Sequence, residues 1–140
     1  MPRTKKVKPI RVQVVPPGKP PEVAEVDPRS WRTWYPLVDK TTHLFEMLKL
    51  ETHLDMLFDE EGALKEMPLN LRLAAQAPSG RLGNLVRIDM TGGKGMKPGE
   101  PGLGFHQIRG TFLIARSRGS EYVDLLDADI ERCRAWLGRE

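Results

Sequence analysis

The sequence predicts an α+β fold: a small mixed or antiparallel sheet with an early short helix and a C-terminal helix packed on it. Three observations predict it. Apolar and polar residues alternate over 10–15, a second strand pattern covers 107–115, and apolar residues follow helical spacing over 128–137. A period of two is typical of half-buried strands, whereas the spacing i, i+3, i+7 marks one helical face. A chain of 140 residues can bury one core, so a single domain is expected over 10–140.

The first strand is predicted from Ile10 to Val15, where the alternation is clearest. A turn follows at 16–21, because its four prolines cannot donate ladder bonds. The segment Glu22–Val26 is then predicted to return as the second strand of a hairpin.

A short helix is predicted from Pro28 to Tyr35. The carboxylate of Asp27 can accept hydrogen bonds from the free amides of a first turn, and proline suits the first helical position. Pro36 should end this helix, since proline disfavours a helical conformation in the residue before it.

Three aromatic residues of this helix, Trp31, Trp34 and Tyr35, fall at neighbouring positions. Their expected role is to pack the helix against the sheet. The alternative is an exposed platform on which nucleic-acid bases stack.

The segment 43–58 has two interpretations. Its apolar residues can be placed on one helical stripe, which indicates a helix. Residues 49–52 interrupt the stripe and an alternating pattern precedes the next turn, which instead indicates two strands at about 43–50 and 53–58.

A turn is predicted at 59–62, where three acidic residues precede Gly62, which is expected at positive φ. Pro68 should end any regular ladder, and Asn70 is expected to cap a brief helical turn over 71–75.

The segment 79–105 is expected to be a mobile Gly-rich insertion, with one possible strand at 85–89 and six glycines after it. A central strand is expected at 107–115. Gly110 interrupts it, which indicates a bulge or a close backbone approach.

The last helix is predicted over 128–137, with Asp127 as its N-terminal cap and Gly138 just past its end. Its apolar stripe should dock on the sheet. The stripe consists of Ile130, Cys133 and Leu137.

No catalytic residue, metal site or cofactor is predicted. The three histidines lack the spacing of metal ligands, and the single cysteine, Cys133, has no partner for a zinc site. The acidic residues 59–61 are expected to form a solvated turn. The segment 92–95 lacks the spacer and the hydroxyl of a phosphate-binding loop, and no serine has the glycine-flanked setting of a nucleophile elbow.

The basic residues are concentrated at the N-terminus. Residues 1–20 hold six Lys and Arg and no acid, leaving 16 basic against 19 acidic residues in the remainder. Residues 1–9 therefore form a basic N-terminal arm, expected to be a solubilising tail and alternatively a phosphate-binding element. The single cysteine and the absence of a signal-peptide pattern or a membrane-length apolar run favour a cytoplasmic location.

Several short motifs occur in a fixed order. They are Pro17-Gly18-Lys19 after a valine-rich strand, Asp59-Glu60-Glu61-Gly62, Met67-Pro68-Leu69-Asn70, and Ile108-Arg109-Gly110-Thr111-Phe112 before a helix with an acidic cap. In this order they resemble a family of small proteins of unknown function encoded largely by bacteriophages, plasmids and other mobile elements. The resemblance implies that 43–58 is a strand pair. The arginine that usually follows the asparagine is Leu71 here, with Arg72 one place later.

The leading functional hypothesis is a non-enzymatic accessory protein that binds a host or phage protein in the bacterial cytoplasm, because short accessory proteins of mobile elements often act by binding. Loops on a rigid scaffold commonly carry such contacts. The candidate contact residues are Glu60, Glu61, Pro68, Asn70 and Arg72.

Two alternatives remain open. The first is nucleic-acid binding by the arm and the start of the first strand, through Arg3, Lys5, Lys6, Lys8 and Arg11. The second is binding or sequestration of a small anionic ligand, with the Gly-rich insertion as a lid near His106.

Overall fold

The structure is a computed structural model that describes residues 7–74, 86–88 and 105–139. In these ranges the strands are β1 (Ile10–Val15), β2 (Glu22–Val26), β3 (Phe45–Glu51), β4 (Leu54–Asp59), β5 (Leu69–Ala74), β6 (Val86–Ile88), β7 (Phe105–Arg109), β8 (Phe112–Arg118) and β9 (Glu121–Val123). A 3₁₀ turn (Trp31–Thr33) leads to helix α1 (Tyr35–Val38), and helix α2 spans Asp127–Leu137. The predicted α+β class is confirmed.

Two antiparallel sheets form the framework. The larger sheet has the strand order β2-β1-β8-β4-β3, with β9 paired to β8, and the smaller has the order β6-β5-β7. The predicted hairpin at 10–26 is confirmed by the β1–β2 pairing. The segment 43–58 is a strand pair, β3 with β4, as the family resemblance implied.

Apolar side chains fill both faces of the larger sheet. On β8, Phe112 and Ile114 belong to a first core shared with the smaller sheet and α2, whereas Leu113 and Ala115 belong to a second core. Every residue of β4 is buried. Leu54, Met56 and Phe58 face the first core and Leu57 faces the second, so the apolar residues of β4 also occur at spacings that fit a helical stripe.

Helix α2 docks on the first core through the predicted stripe. Ile130, Cys133 and Leu137 are all buried, and Gly138 closes the helix at φ 63°. The prediction that Asp127 caps this helix is wrong, because Asp127 is its first residue. The carboxylate of Asp129 instead accepts the amide of Leu126 at 2.9 Å, which satisfies a donor at the helix start.

The predicted central strand 107–115 is in fact two strands in different sheets. Gly110 separates β7 from β8 at φ 77°, and a side chain there would place its Cβ 2.7 Å from the Sδ of Met67. The expected close approach at Gly110 is therefore confirmed. The chain turns at Gly110 and passes from the smaller sheet to the larger one.

The early helix starts later than predicted. The 3₁₀ turn and α1 occupy 31–38 rather than 28–35. Pro36 does not end the helix; it lies in the first turn of α1, where amides have no partner within the helix. Asp27 accepts the amide of Arg29 at 2.8 Å and so forms a local turn instead of a helix cap.

Two further local predictions are wrong. Asn70 does not cap a helical turn over 71–75, because it is the second residue of β5. The positive φ expected at Gly62 occurs at Glu66 instead, with φ 54°. A Cβ on Gly62 would lie 3.3 Å from the carbonyl oxygen of Arg109, so close packing, not torsion, explains this glycine.

Part of the predicted strand at 85–89 is confirmed as β6. The segment 79–105 was also expected to be mobile, but apart from 86–88 and Phe105 its residues lie outside the described ranges. Arg3, Lys5 and Lys6 of the N-terminal arm lie outside these ranges as well. Helices α1 and α2, in the part of the chain that the structure describes, lack the length and apolar character of a membrane span.

Candidate functional site

The acidic turn at 59–62 is built around the buried carboxylate of Asp59. This carboxylate accepts hydrogen bonds from Thr42 Oγ1 at 2.7 Å, Lys65 Nζ at 2.7 Å and the amide of Glu61 at 2.8 Å. Burial raises the pKa of Asp59, but the bonds from Lys65, Thr42 and Glu61 outweigh burial and leave the pKa below its ordinary value. Asp59 therefore fixes the turn from inside.

The next two acids are held at the surface by the segment before β3. The amide of Glu60 donates to the carbonyl oxygen of Leu44 at 3.2 Å, and His43 Nε2 lies 3.5 Å from the carboxylate of Glu61. The side chain of Glu60 is exposed and that of Glu61 is half-buried. The turn is thus attached to the edge of the larger sheet, as a rigid loop.

A small recess of about 120 Å³ opens beside this turn. Glu46, Asp59 and Glu60 contribute acids to its lining, to which Gln107 and Arg109 of β7 also belong. Arg109 donates to the carbonyl oxygen of Met67 at 3.2 Å and to Gln107 Oε1 at 3.3 Å. Among the described residues, neither Glu46 nor Glu60 forms an ion pair.

Large apolar side chains are exposed on the segments that flank the acidic turn. Leu64 is 82% exposed after the turn, and Leu44, whose carbonyl oxygen accepts the amide of Glu60, is 50% exposed. We call the set of Leu44, Glu46, Glu60 and Leu64 the acidic–apolar surface. Met47 is 49% exposed but lies opposite Leu57, on the other face of β3, and is not part of this surface. The surface combines unpaired negative charge with apolar area beside the outer strand of the larger sheet.

The segment 68–72 divides between the surface and the interior. Pro68 is exposed, and Arg72 lies half-buried on β5. Asn70 is fully buried, and its Nδ2 donates to the carbonyl oxygens of Val15 and Gly110, both at 2.8 Å. Asn70 therefore joins the two sheets beneath the surface and is not accessible to a partner.

The basic residues near the N-terminus also differ in their roles. Lys8 is exposed, whereas the guanidinium of Arg11 pairs with Asp124 at 3.0 Å and Asp127 at 2.8 Å. Arg11 thereby connects β1 to the start of α2. Five basic residues were candidates for binding nucleic acid. Within the described ranges, Lys8 is the one of the five that is exposed and forms no ion pair.

Sequence reasoning missed Leu44, Glu46 and Leu64. Leu64 carried a signal, since a leucine in a polar turn has few buried positions to occupy. Glu46 carried none, because its position at the recess depends on the pairing of β3 with β4, where it lies opposite Phe58. Across the ranges that the structure describes, no group of three His, Cys, Asp or Glu side chains could hold a metal ion.

The chain matches a family described as Domain of unknown function (DUF3846) over residues 10–138. The matched range begins with β1 and ends just after α2, so it includes both sheets and the acidic–apolar surface. Searches of curated proteins and of solved structures found no match.

Proposed function

The chain belongs to the DUF3846 family of domains of unknown function, and from this premise we propose that it is a non-enzymatic accessory protein that binds another protein. The resemblance of its motifs to proteins of bacteriophages, plasmids and other mobile elements supports such a role. In this proposal the protein acts in the bacterial cytoplasm, and its partner is a host or phage protein.

The exposure of Leu64 carries the proposal. This side chain is 82% exposed on a turn that buried hydrogen bonds to Asp59 hold in place, so it stays in water although the loop is ordered. Leu44, just before the adjoining strand β3, adds apolar area. Clustered apolar groups with a polar rim are typical of protein interaction sites.

The charges indicate the chemistry of the partner. Glu46 and Glu60 line the recess without forming an ion pair to other described residues. A Lys or Arg side chain on the partner would complement this negative charge, while apolar residues beside it would cover Leu44 and Leu64. The expected partner segment is therefore basic and apolar.

The position of β3 adds a further element of recognition. It is the last strand in the order of the larger sheet and is hydrogen-bonded to β4 on one side. An edge strand presents backbone donors and acceptors that an extended segment can pair with. Exposed Met47 and Glu46 on this strand would then contact the partner's side chains.

The test starts with a photo-crosslinkable residue in place of Leu64, used in producing cells to identify the protein that contacts the turn. Binding of the purified partner is then measured for the unaltered protein and for Leu64→Asp. We expect Leu64→Asp to weaken binding at least about tenfold, as for a residue central to an interface. Glu46→Gln with Glu60→Gln should reduce the salt dependence of the association rate.

Leu126→Asp is the matched control, because Leu126 is 51% exposed at the start of α2 and aspartate is well tolerated at that helix position. It should bind the partner like the unaltered protein. Equal affinities for Leu64→Asp and Leu126→Asp would refute the proposal.

A further inference from the structure

A second exposed site lies on the other face of the larger sheet, where Trp31 is surrounded by aromatic rings. Its ring centroid lies 4.9 Å from that of Trp34, 5.7 Å from Phe45, 5.9 Å from Tyr122 and 6.1 Å from Tyr35. Trp34 is 1% exposed, but Trp31 remains 43% exposed. Trp31 is therefore held in one position and still offers indole surface to a ligand.

Tyr122 is fixed as firmly as Trp31. Its hydroxyl donates to Asp55 Oδ2 at 2.9 Å, and the buried carboxylate of Asp55 is also paired with Lys49 Nζ at 2.8 Å. Side chains that are already ordered lose little rotamer entropy when a ligand binds. The aromatic site is thus preorganised.

Trp31 and Tyr122 border an open cavity of about 370 Å³, which is within the size range of ligand sites. Val7, Arg29 and Glu121 also line it. Arg29 and the neighbouring Arg32 are exposed, and neither forms an ion pair among the described residues. Of these two cations, Arg29 lies on the rim of the cavity with the carboxylate of Glu121, and Arg32 lies next to Trp31 in the same 3₁₀ turn.

We propose that this cavity binds single-stranded nucleic acid, with one base stacked on Trp31 and the neighbouring phosphates near Arg29 and Arg32. Aromatic stacking with basic residues along the backbone is how proteins hold unpaired strands. A duplex keeps its bases stacked on one another and cannot present one to Trp31. Arg32 lies in the turn beside Trp31 and outside the lining of the cavity, so cations are available for more than one phosphate, which favours a strand over a free nucleotide.

The test measures the fluorescence anisotropy of a labelled oligothymidylate of about 12 nucleotides, a length suited to such sites. We expect the full chain to bind this strand at low salt and to bind the same sequence as a duplex more weakly. Trp31→Ala should weaken strand binding about 5- to 150-fold, and Trp31→Phe less. Arg29→Gln with Arg32→Gln should reduce the slope of log affinity against log salt by about 1.4.

Two controls lie on the opposite face, with α2. Leu126→Ala removes an equally exposed apolar side chain and Arg134→Gln an exposed charge, and neither should alter strand binding. If Trp31→Ala does not fold, the comparison of the Arg29/Arg32 double variant with Arg134→Gln decides the proposal. Absence of strand binding at low salt, equal binding of duplex, displacement of the strand by equimolar thymidine monophosphate, or no effect of either site variant would overturn it.

Discussion

The guanidinium of Arg139 donates to the side-chain oxygen of Asn70 at 2.7 Å, which ties the chain just after Gly138, the C-terminal cap of α2, to the start of β5. Arg139 also donates to the carbonyl oxygens of Pro16 and Asn70, both at 2.8 Å. With the bonds from Asn70 to Val15 and Gly110, four separate parts of the chain meet at one buried amide.

Asn70→Ala should lower the free energy of unfolding by about 2–3 kcal/mol, because two buried carbonyl groups lose a donor and the Arg139 guanidinium loses an acceptor. Urea unfolding at neutral pH measures the change. Gln107→Ala, at an exposed position of the same sheet, should change it by less than about 0.5 kcal/mol. If the two variants unfold at the same urea concentration, the buried junction does not stabilise the fold.

Asp59→Asn should destabilise the protein at pH 7 by about 1.5–3 kcal/mol, because charge-assisted bonds from Lys65 and Thr42 are lost. The folded-state pKa of Asp59 lies below its ordinary value of 3.8, so its contribution is present above that pH and is lost as pH falls through the folded pKa. The difference between Asp59→Asn and the unaltered protein should therefore shrink in urea titrations at increasingly acid pH. Glu60→Gln serves as the exposed control. A difference in unfolding free energy between Asp59→Asn and the unaltered protein that grows on acidification would contradict the prediction.

Gly110→Ala should be more destabilising than Gly18→Ala. Both glycines have positive φ, 77° and 67°, so alanine costs about 1–2 kcal/mol of backbone strain at either position. A Cβ at Gly110 also meets Met67 Sδ at 2.7 Å, whereas nothing lies within 4 Å of one at Gly18. The difference between the unfolding free energies of the two variants measures the cost of the steric overlap with Met67. Equal unfolding free energies would show that Met67 moves aside at no cost.

Trp34→Ala should cost about 3–5 kcal/mol of unfolding free energy, because Trp34 is buried in the second core and its indole donates to the carbonyl oxygen of Asp27 at 2.7 Å. Trp31→Ala should cost only about 1–2 kcal/mol, since Trp31 is partly in water. Thermal or urea unfolding of the two variants tests this order. A larger loss for Trp31→Ala would show that the aromatic cluster depends on the exposed ring.

Local patterns predicted several elements well. The alternation at 10–15 identified β1, the proline-rich turn identified the hairpin to β2, and the apolar stripe with Gly138 identified α2. Each of these signals depends on residues close together in sequence. The start of the early helix was wrong because Asp27 and Pro28 fit a tight turn as well as a helix start.

The acidic turn at 59–62 was found from the sequence as a candidate contact element, and Glu60 is exposed there. The surface around it was not found. Leu44, Glu46 and Leu64 come from segments that the β3–β4 pairing and the bond from Glu60 to Leu44 bring together. Asn70 looked like a surface cap, but its amide satisfies carbonyl groups from two distant segments.

The α+β class, the first hairpin, the last helix and the basic character of the N-terminus could be predicted from residue type and short-range periodicity alone. The division of 107–115 between two sheets, the burial of Asn70 and the exposure of Trp31 beside Arg29 depend on the folded arrangement of the chain. Periodicity predicts which residues lie on each face of a strand. The neighbouring strand that it bonds to, and the side chains that pack over each face, belong to residues far away in the chain.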